Sequence, residues 1–365
     1  MTTKIEWADM TINPVVGCTK CSDGCRSCYA ETFAARLAKN PKTAAKYAGV
    51  VDENGKWTGK ISSFARWDDR DMPHRVPGKN KRVFVGSMTD LFHPNVGQER
   101  LDTIFASILY DATITNGHAH TFIMLTKRAD RMLDYFSPGP EAMLRRWGKA
   151  GDGWLHVGDG DEFFSEYVEG QTIPQPDHED FPNLLHKHLW PLPNLWLGVT
   201  VCNQAEADEK IPVLLLTPAA VRFVSVEPCL GPVALGHLSW TGIIGSTADK
   251  NALTGKTWIQ GNCGESSQTL QGNRLDWVIC GGETGPGARP MHPDWVRGLR
   301  DQCQAAATPF FFKSWGEWWP GEWGRLYREK TISYTDGQDM VLIGKRRAGR
   351  LLDGREWNEV PEVKA

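Results

Sequence analysis

Short apolar runs alternate with helical patterns along most of this chain. The apolar runs are Arg82–Ser87, Thr121–Thr126, Leu195–Val201, Val221–Val226, Trp277–Cys280 and Pro309–Lys313. Each is apolar on successive residues, which is typical of parallel strands covered on both faces. The helical patterns lie at Tyr29–Leu37, Gln98–Tyr110, Ala129–Phe136, Ala205–Leu216 and Pro293–Ala307, and a first strand is expected within Thr11–Val16.

A repeated β/α order predicts an α/β fold with a parallel sheet. The sheet is either a partial or full (β/α) barrel of about 6–8 strands or an open, doubly wound sheet. No Gly-x-Gly-x-x-Gly sequence follows the first strand. Its absence favours the barrel.

Three stretches do not follow the alternation. Residues 138–193 are rich in Gly, Asp, Pro and Trp, and they are predicted to be an insertion between the third and fourth strands. Residues 236–274 are polar and turn-rich, which predicts a hairpin or excursion before the sixth strand. Residues 324–365 are polar and partly basic. The predicted division is therefore a barrel over 1–323, carrying both insertions, and a C-terminal extension over 324–365.

Charge and hydropathy exclude several classes of protein. The net charge is −3 over 365 residues, so bulk attraction to nucleic acid or anionic lipid is not expected. A polyanion would need a local basic patch, and the stretch Lys345–Arg350 offers one. The N-terminus lacks the pattern of a signal peptide, and no apolar stretch approaches the roughly 20 residues needed to span a bilayer. The sequence therefore predicts a cytoplasmic protein with reduced thiols and no membrane partner.

Four cysteines, Cys18, Cys21, Cys25 and Cys28, crowd into eleven residues. Thiols this close make poor structural crosslinks but can surround a soft metal. Zinc sites usually join two cysteine pairs across a longer spacer, whereas an iron–sulfur cubane accepts closely spaced thiolates on separate irons. With four ligands the cluster only carries electrons, and with three it leaves an iron open to S-adenosylmethionine.

Polar residues follow nearly every predicted strand. Ligands of parallel α/β folds bind outside the carboxyl ends of the strands. The cysteine loop follows the first strand, so it is expected on the same rim, and the pattern predicts an active site there. The residues at these ends are Ser87, Asp90, His93, Lys127, Arg128, Glu227, Gly281, Gly282, Glu283 and Lys313.

The chain resembles a known family in several stretches. Cys21-x3-Cys25-x2-Cys28 has the spacing of the radical S-adenosylmethionine superfamily, whose fold is a barrel of parallel strands. The phage-encoded "three-Cys-motif" family, regarded as radical-SAM-like, is similar over a wider set of segments. These are Asn13–Cys18, Gly24–Ala30, Ser87–His93, Leu125–Arg128, Leu197–Val201, Thr217–Phe223, Glu227-Pro228, Gly281–Pro290 and Ala348–Arg355.

The resemblance implies a ligand set for the cluster. The cysteines of the three-Cys-motif family match Cys18, Cys25 and Cys28, whereas the superfamily spacing selects Cys21, Cys25 and Cys28. The two candidate triads share Cys25 and Cys28 and differ in the first ligand. Resemblance favours Cys18, with Cys21 as the alternative.

The superfamily resemblance also implies roles for rim residues. Ser87 and Asp90 follow the second strand, where the amino group of S-adenosylmethionine is usually held; alternatively, Asp90 caps the following turn. Gly281 and Gly282 are expected to let the backbone approach a ligand. Glu283 is expected to bind ribose or substrate.

The catalytic candidates are Glu227, Glu283 and Lys127. Lys127 and its neighbour Arg128 are suited to a carboxylate or phosphate, or else they form a solvated helix start. Glu227 either binds a polar substrate group or pairs with an arginine, Arg222 or Arg289. His93 is expected to be a turn or core histidine. The indoles of Trp315, Trp318, Trp319 and Trp323 either stack on a base or form a hydrophobic wall.

The expected function is that of a radical S-adenosylmethionine enzyme with one 4Fe–4S cluster that generates a 5′-deoxyadenosyl radical. Phage association of the family implies a nucleotide or DNA base as substrate, in an isomerase-type step of thymidine hypermodification that shields phage DNA from host nucleases. A reductant such as flavodoxin and the host cytoplasm are implied with it. The alternatives are a repair lyase similar to the spore photoproduct enzyme and a non-catalytic iron–sulfur or zinc protein.

Overall fold

The computed structural model describes residues 3, 5–63, 70–114, 119–155, 189–241, 247–259, 268–321 and 329–362. Its strands are β1 Met10–Ile12, β2 Val15–Val16, β3 Ser62–Ser63, β4 Arg82–Val85, β5 Thr121–Thr126, β6 Leu195–Val201, β7 Val221–Val226, β8 Leu238–Thr241, β9 Thr247–Lys250, β10 Lys256–Ile259, β11 Gln268–Gln271, β12 Trp277–Gly281, β13 Phe310–Ser314, β14 Trp318–Pro320, β15 Thr331–Ser333 and β16 Asp339–Leu342. Its α-helices are α1 Tyr29–Ala38, α2 Ala44–Tyr47, α3 Gln98–Ile114, α4 Ala129–Phe136, α5 Pro140–Leu155, α6 Gln204–Leu216, α7 Pro293–Ala305 and α8 Lys345–Ala348. Two 3-10 turns lie at Asp23–Cys25 and Pro73–Arg75.

Seven parallel strands form the central sheet in the order β1-β4-β5-β6-β7-β12-β13. The sheet curls into a half-barrel with flanking helices, which confirms the prediction of an α/β partial barrel. The six apolar runs all lie in this sheet, and the five predicted helices are present with small shifts at their ends.

The first predicted strand is only partly correct. Residues Met10–Ile12 pair in parallel with β4, but Val15–Val16 pair antiparallel with Ser62–Ser63 in a separate ladder. Pro14 lies between the two segments, and a proline has no N–H to donate to a central ladder. The chain therefore leaves the sheet there and turns toward the cysteine loop.

Both faces of the sheet are covered, which is why its strands are apolar on successive residues. Helices α3, α4, α6 and α7 pack on one face, over side chains such as Val83 and Val278. The opposite face is filled by aromatic rings. Trp277 lies at the centre of this second layer, within 6.2 Å of the rings of Trp7, Trp196, Phe223 and Phe311.

The predicted insertions contain regular structure. Within 138–193, α5 packs on α3 through Trp147, whose ring stacks on Phe105 at 5.4 Å; residues 156–188 lie outside the described part. Within 236–274, β8 to β11 form an antiparallel sheet in the order β11-β10-β9-β8. Residues 242–246 and 260–267 of this stretch also lie outside it.

The C-terminal segment completes the core. Its strands β15 and β16 join β14 in a three-stranded sheet. Leu352 and Trp357 are buried in the main core, and the Phe312 N–H donates to the Trp357 carbonyl at 2.9 Å. The tail therefore covers the β13 edge, which would otherwise expose unpaired backbone groups. Residues 324–328 and 363–365 of the predicted extension lie outside the description.

Among the helices that the structure describes, none has the length and apolar character needed to cross a bilayer.

Candidate metal centre

The cysteine loop connects β2 to α1 across the carboxyl rim of the half-barrel. Gly17 starts it, with its N–H donating to the Met88 carbonyl at 3.1 Å, and Cys28 ends it as the residue before α1. Between them, Asp23–Cys25 form a 3-10 turn. Cys18, Cys25 and Cys28 are half-buried, and Cys21 is exposed. The loop therefore presents its sulfurs beside the polar strand ends, as the sequence predicts.

An arginine clamp holds the first part of the loop; we call Asp90, Arg128 and Thr19 the Arg128 clamp. Arg128 Nη1 donates to Asp90 Oδ2 at 2.8 Å. Its Nη2 donates to the Thr19 carbonyl at 3.1 Å and to Thr19 Oγ1 at 3.0 Å. The Cys18 sulfur lies 4.0 Å from Nη1. Asp90 and Arg128 follow the neighbouring strands β4 and β5, and together they fix the Arg128 charge beside the Cys18 thiol.

A second clamp holds the middle of the loop; we call Glu283, Arg289 and Asp23 the Arg289 clamp. Arg289 donates from Nε and Nη2 to the two Glu283 oxygens, at 2.9 and 2.8 Å. Its guanidinium also donates to Asp23 Oδ2 at 2.6 Å and to the Asp23 carbonyl at 3.0 Å. Because Glu283 follows β12 and Arg128 follows β5, the two clamps suspend the loop from well-separated strands of the sheet.

The two residues predicted to bind S-adenosylmethionine lie at the rim but have protein partners. Asp90 is only 6% exposed, and besides Arg128 it accepts hydrogen bonds from Phe92 N, Lys127 N and Thr126 Oγ1. The Phe92 contact is the turn cap named as the alternative. Ser87 Oγ donates to Asn13 Oδ1 at 3.2 Å. Their role toward a cofactor stays a prediction.

The two rim glycines are explained by packing of the chain against itself. A Cβ on Gly282 would lie 2.0 Å from the Trp315 carbonyl oxygen, and a Cβ on Gly281 would lie 2.8 Å from Glu227 Oε1. Any side chain at these positions would collide with neighbouring strand ends. Glu283, predicted as a ribose or substrate ligand, is 5% exposed and bound on both oxygens by Arg289.

Glu227 forms an ion pair that the sequence did not assign. Lys313 Nζ lies 2.9 Å from Glu227 Oε1, and Ser225 Oγ donates to the other oxygen at 2.9 Å. The expected partners Arg222 and Arg289 are engaged elsewhere, with the Thr217 carbonyl and the Arg289 clamp respectively. Burial opposes the charge of Lys313, but the Glu227 carboxylate outweighs it and raises the pKa of Lys313.

Lys127 is the free cation of the rim. No ion pair or side-chain hydrogen bond engages its ammonium group within the part of the chain that the structure describes. Its charge acts on two thiols, Cys25 and Cys202. An unpaired lysine beside these thiols can receive a carboxylate or a phosphate.

The thiols differ in their acidity. A hydrogen bond from Cys21 lowers the pKa of Cys25 well below its usual range, and backbone N–H groups and the Lys127 charge act in the same direction. The same contact raises the pKa of Cys21. Burial raises the pKa of Cys18 to about 11, and the Asp90 charge adds to this against the opposing Arg128. Cys25 is therefore the thiol most easily deprotonated for metal binding.

A fifth thiol, Cys202, lies directly under the loop. A Cβ on Gly24 would lie 2.3 Å from the Cys202 sulfur, so only glycine fits above it. Burial raises the pKa of Cys202 to about 12. No sequence signal predicts this placement, because a cysteine at the end of a buried strand is typical of an ordinary apolar core residue.

The distances between the cysteine sulfurs can be compared with those that one zinc ion requires. A single zinc ion bonds thiolates at about 2.3 Å, so its sulfurs lie within about 4.6 Å of one another. Among the described cysteines, no three sulfurs lie within 4.8 Å of one another. A cubane distributes its thiolates over separate irons, so it accepts more widely spaced sulfurs than one zinc ion does.

One other group of metal-ligand residues lies outside the loop. Atoms of His292, Asp294 and Asp336 lie within 4.8 Å of one another. However, His292 Nδ1 accepts a hydrogen bond from the Asp294 N–H, so the proton is on Nε2, which faces Asp336 Oδ2 at 2.9 Å. Nδ1 is occupied by this contact, and His292 serves as the N-cap of α7.

The aromatic and histidine candidates belong to the wall of the site. Trp315 and Trp318 are buried, and their indole N–H groups donate to the Leu351 and Ala288 carbonyls. This favours the hydrophobic wall over base stacking for these two; Trp323 lies outside the described residues. His93 is buried and shares a 2.9 Å hydrogen bond with Thr19 Oγ1, so it supports the loop.

Comparisons with known proteins give a family and no activity. No curated protein matches the chain, and no solved structure matches it. The resemblance to radical S-adenosylmethionine proteins therefore stays a prediction. A family model described as "Protein of unknown function (DUF5131)" matches residues 2–361, and the chain belongs to this family.

Proposed function

We propose that this chain is a radical S-adenosylmethionine enzyme whose cysteine loop holds one 4Fe–4S cluster. The observation that carries the proposal is the suspension of four thiols over the carboxyl rim of a parallel half-barrel by two arginine clamps. Carboxyl rims are where parallel α/β enzymes place their chemistry. A purely structural metal does not need two buried carboxylates to orient its loop above that rim.

Cys25 and Cys28 are the common ligands of both candidate triads, and Cys18 completes the set by resemblance, with Cys21 as the alternative. The low pKa of Cys25 favours the thiolate that metal binding requires. Held by these cysteines, a cluster with an open iron would supply a site for the amino and carboxylate groups of S-adenosylmethionine. Once reduced, it would supply the electron that cleaves the sulfonium to methionine and the 5′-deoxyadenosyl radical.

The chain's own residues supply charge and protons beside the loop. Lys127 carries the unpaired ammonium that receives an anionic group of cosubstrate or substrate. Glu227 and Lys313, joined at 2.9 Å, hold a proton that can pass to or from a polar substrate atom. Glu283 and Asp90 act through their arginines as positioning residues and do not touch the reacting atoms.

The proposed substrate is a nucleotide or DNA base, modified in an isomerase-type step; a lyase-type repair reaction is the second candidate of the same class. The choice of substrate rests on the family resemblance. The reaction needs a low-potential reductant such as flavodoxin, and it takes place in the cytoplasm, where thiols stay reduced.

Anaerobic reconstitution with iron and sulfide tests the proposal. We expect about four irons per chain, an electron-paramagnetic-resonance signal that shifts when S-adenosylmethionine is added, and formation of 5′-deoxyadenosine after reduction. Cys25→Ser and Cys28→Ser should abolish all three. Cys18→Ser and Cys21→Ser identify the first ligand, because only one of them should remove the cluster, and Cys303→Ser serves as the buried control.

Three outcomes contradict the proposal. A reduced cluster whose signal is unchanged by S-adenosylmethionine, with no 5′-deoxyadenosine, makes the protein a non-catalytic iron–sulfur protein. One zinc and no iron in the purified protein makes it a zinc protein. Retention of the cluster in Cys25→Ser overturns the ligand assignment. Loss of the cluster only when both Cys18 and Cys21 are replaced would instead show that these two thiols substitute for one another, and the proposal would stand with either as first ligand.

A further inference from the structure

Helix α1, which follows the cysteine loop, exposes an aromatic stripe. Tyr29 is 50% exposed and Phe33 is 49% exposed, one helical turn apart. Ala30 and Ala34 lie on the buried side of the same helix. The Tyr29 hydroxyl donates to the Ser87 carbonyl at 2.8 Å, so its ring is held in place next to the rim.

Exposed cations without ion pairs lie on this helix and in the segments next to it in the chain. Arg26, Arg36, Lys39 and Lys42 are exposed, and none forms an ion pair with any residue that the structure describes. The Arg36 guanidinium lies 5.3 Å from the Phe33 ring centroid. Charge and aromatic surface therefore coincide on one side of the cysteine loop.

The basic stretch of the C-terminal tail differs from this surface. Lys345 pairs with Glu6 at 3.1 Å, and Arg347 pairs with Glu329 at 2.7 Å. Arg350 lies 3.8 Å from Glu356. Most of the charge in the basic patch that the sequence offered for a polyanion is thus neutralised within the protein.

We propose that the α1 surface, defined as Tyr29, Phe33 and Arg36 with Arg26, Lys39 and Lys42, binds a single-stranded nucleic acid. Unpaired cations meet the phosphates, and aromatic rings stack on successive unpaired bases. A duplex keeps its bases stacked inside and cannot use the rings, so single strands are preferred. The nucleic acid as substrate rests on the proposed function, but the surface itself stands on exposure and charge.

An acidic protein is the other occupant that this charge could attract. Its contacts would depend on Arg36 and the lysines, whereas base stacking depends on the shape of the Phe33 ring. The half-exposed rings favour the nucleic acid, because they offer stacking surface that an acidic protein does not need. The two partners are separated by substitutions that change the ring and the charge independently.

Fluorescence anisotropy of the purified full-length protein with a labelled twelve-nucleotide oligo-dT tests the proposal. We expect binding at low salt that weakens on addition of salt, and at least ten-fold weaker binding of a duplex of equal length. Phe33→Ala and Phe33→Leu should each weaken binding about five-fold or more, the effect of one lost base stack. Arg36→Ala with Lys39→Ala should lower the slope of log K against log salt by about 1.4.

Matched controls are available on other surfaces. Trp258→Ala removes a ring that is 38% exposed on the β10 strand, and Arg346→Ala removes an exposed, unpaired cation of the tail. Neither should change binding. The proposal is overturned by absent strand binding, by equal loss in these controls, or by loss in the cation variants with none in Phe33→Leu, which would show that charge alone, without base stacking, holds the strand. Binding is measured without cofactors, so this result is independent of the reconstitution experiment.

Discussion

The two arginine clamps hold the same loop in different ways. In the Arg128 clamp, both charged side chains are largely buried, and the arginine grips the backbone and hydroxyl of Thr19. In the Arg289 clamp, Glu283 is buried but the loop residue Asp23 has 61% of its side chain exposed. The difference indicates that the start of the loop, at Cys18, is firmly fixed. The middle of the loop, around Cys25, is held by a contact that solvent and salt can reach.

The largest effect is expected for Asp90→Asn. The substitution leaves the Arg128 charge without its partner in a buried site, which typically costs about 3–5 kcal/mol of the free energy of unfolding. Urea denaturation measures it. The exposed Asp134→Asn on α4 is the control, with a change near zero. A loss below about 1 kcal/mol for Asp90→Asn would contradict the comparison, because it would make the Arg128 clamp no stronger than an exposed ion pair.

The Arg289 clamp should lose stability in two unequal steps. Arg289→Ala leaves the buried Glu283 carboxylate unpaired and is expected to cost about 2 kcal/mol, less than Asp90→Asn because Arg289 itself is partly exposed. Asp23→Asn removes only the solvent-exposed contact and should cost under about 1 kcal/mol.

Salt separates the two steps of this clamp. Raising the salt concentration to about 1 M should erase the Asp23→Asn effect, since exposed pairs are screened, and leave most of the Arg289→Ala effect. Urea denaturation at two salt concentrations measures both. Equal costs for the two variants would contradict the comparison, because they would place Asp23 in as buried a setting as Glu283.

Much of the fold could be predicted because it depends on local pattern. The strands Thr121–Thr126 and Val221–Val226 and the helix Ala129–Phe136 have the bounds expected from their apolar runs and periodicity. The first strand was misjudged because Val15 and Val16 continue the apolar run beyond Pro14, and the run alone does not reveal the missing donor.

The site was predictable in its members but not in their partners. Asp90 and Glu283 were identified as rim residues because they follow strands. The sequence around a carboxylate, however, does not show whether an arginine binds it. Arg289 and Asp23 are 266 residues apart, so only the folded chain brings them together. Cys202 was missed as a site residue because it follows an ordinary buried strand, whereas Lys313 was identified at the rim but its pairing with Glu227 was not.

The thiols of Cys18, at the start of the loop, and Cys25, in its middle, should differ in reactivity by about ten-fold. Cys25 is deprotonated at neutral pH, whereas the pKa of Cys18 is raised to about 11 by burial. The larger thiolate fraction of Cys25 outweighs the lower nucleophilicity of its thiolate. Alkylation of the cofactor-free protein by iodoacetamide, followed by peptide mass spectrometry at pH 7, should label Cys25 first.

The pH dependence gives the sharper test of this difference. Between pH 6 and 8 the rate at Cys25 should stay flat, because its thiolate is already formed, and the rate at Cys18 should rise about ten-fold per pH unit. Lys127→Ala should leave the Cys25 rate flat over this range and slightly faster, because it raises the pKa of a thiolate that stays fully formed, and Lys42→Ala is the matched control. A rising rate at Cys25 would show that its thiol is protonated at neutral pH.

The smallest effect is expected at an arginine contact that has no buried acid. Asp353 in the tail accepts hydrogen bonds from Arg297 of α7 at 3.1 and 2.9 Å, and Arg300 also pairs with it, but 38% of its side chain is exposed. These hydrogen bonds from Arg297 and Arg300 lower the pKa of Asp353.

A carboxylate whose pKa is lowered in the folded state adds to the stability at any pH above its ordinary pKa, which is near 3.9. This contribution is lost as the pH falls through the pKa of the folded state. Asp353→Asn should therefore cost under about 1 kcal/mol at pH 7 and nothing in strong acid, measured by urea denaturation across this range. A cost as large as that of Asp90→Asn would show that exposure of the carboxylate does not set the strength of these arginine contacts.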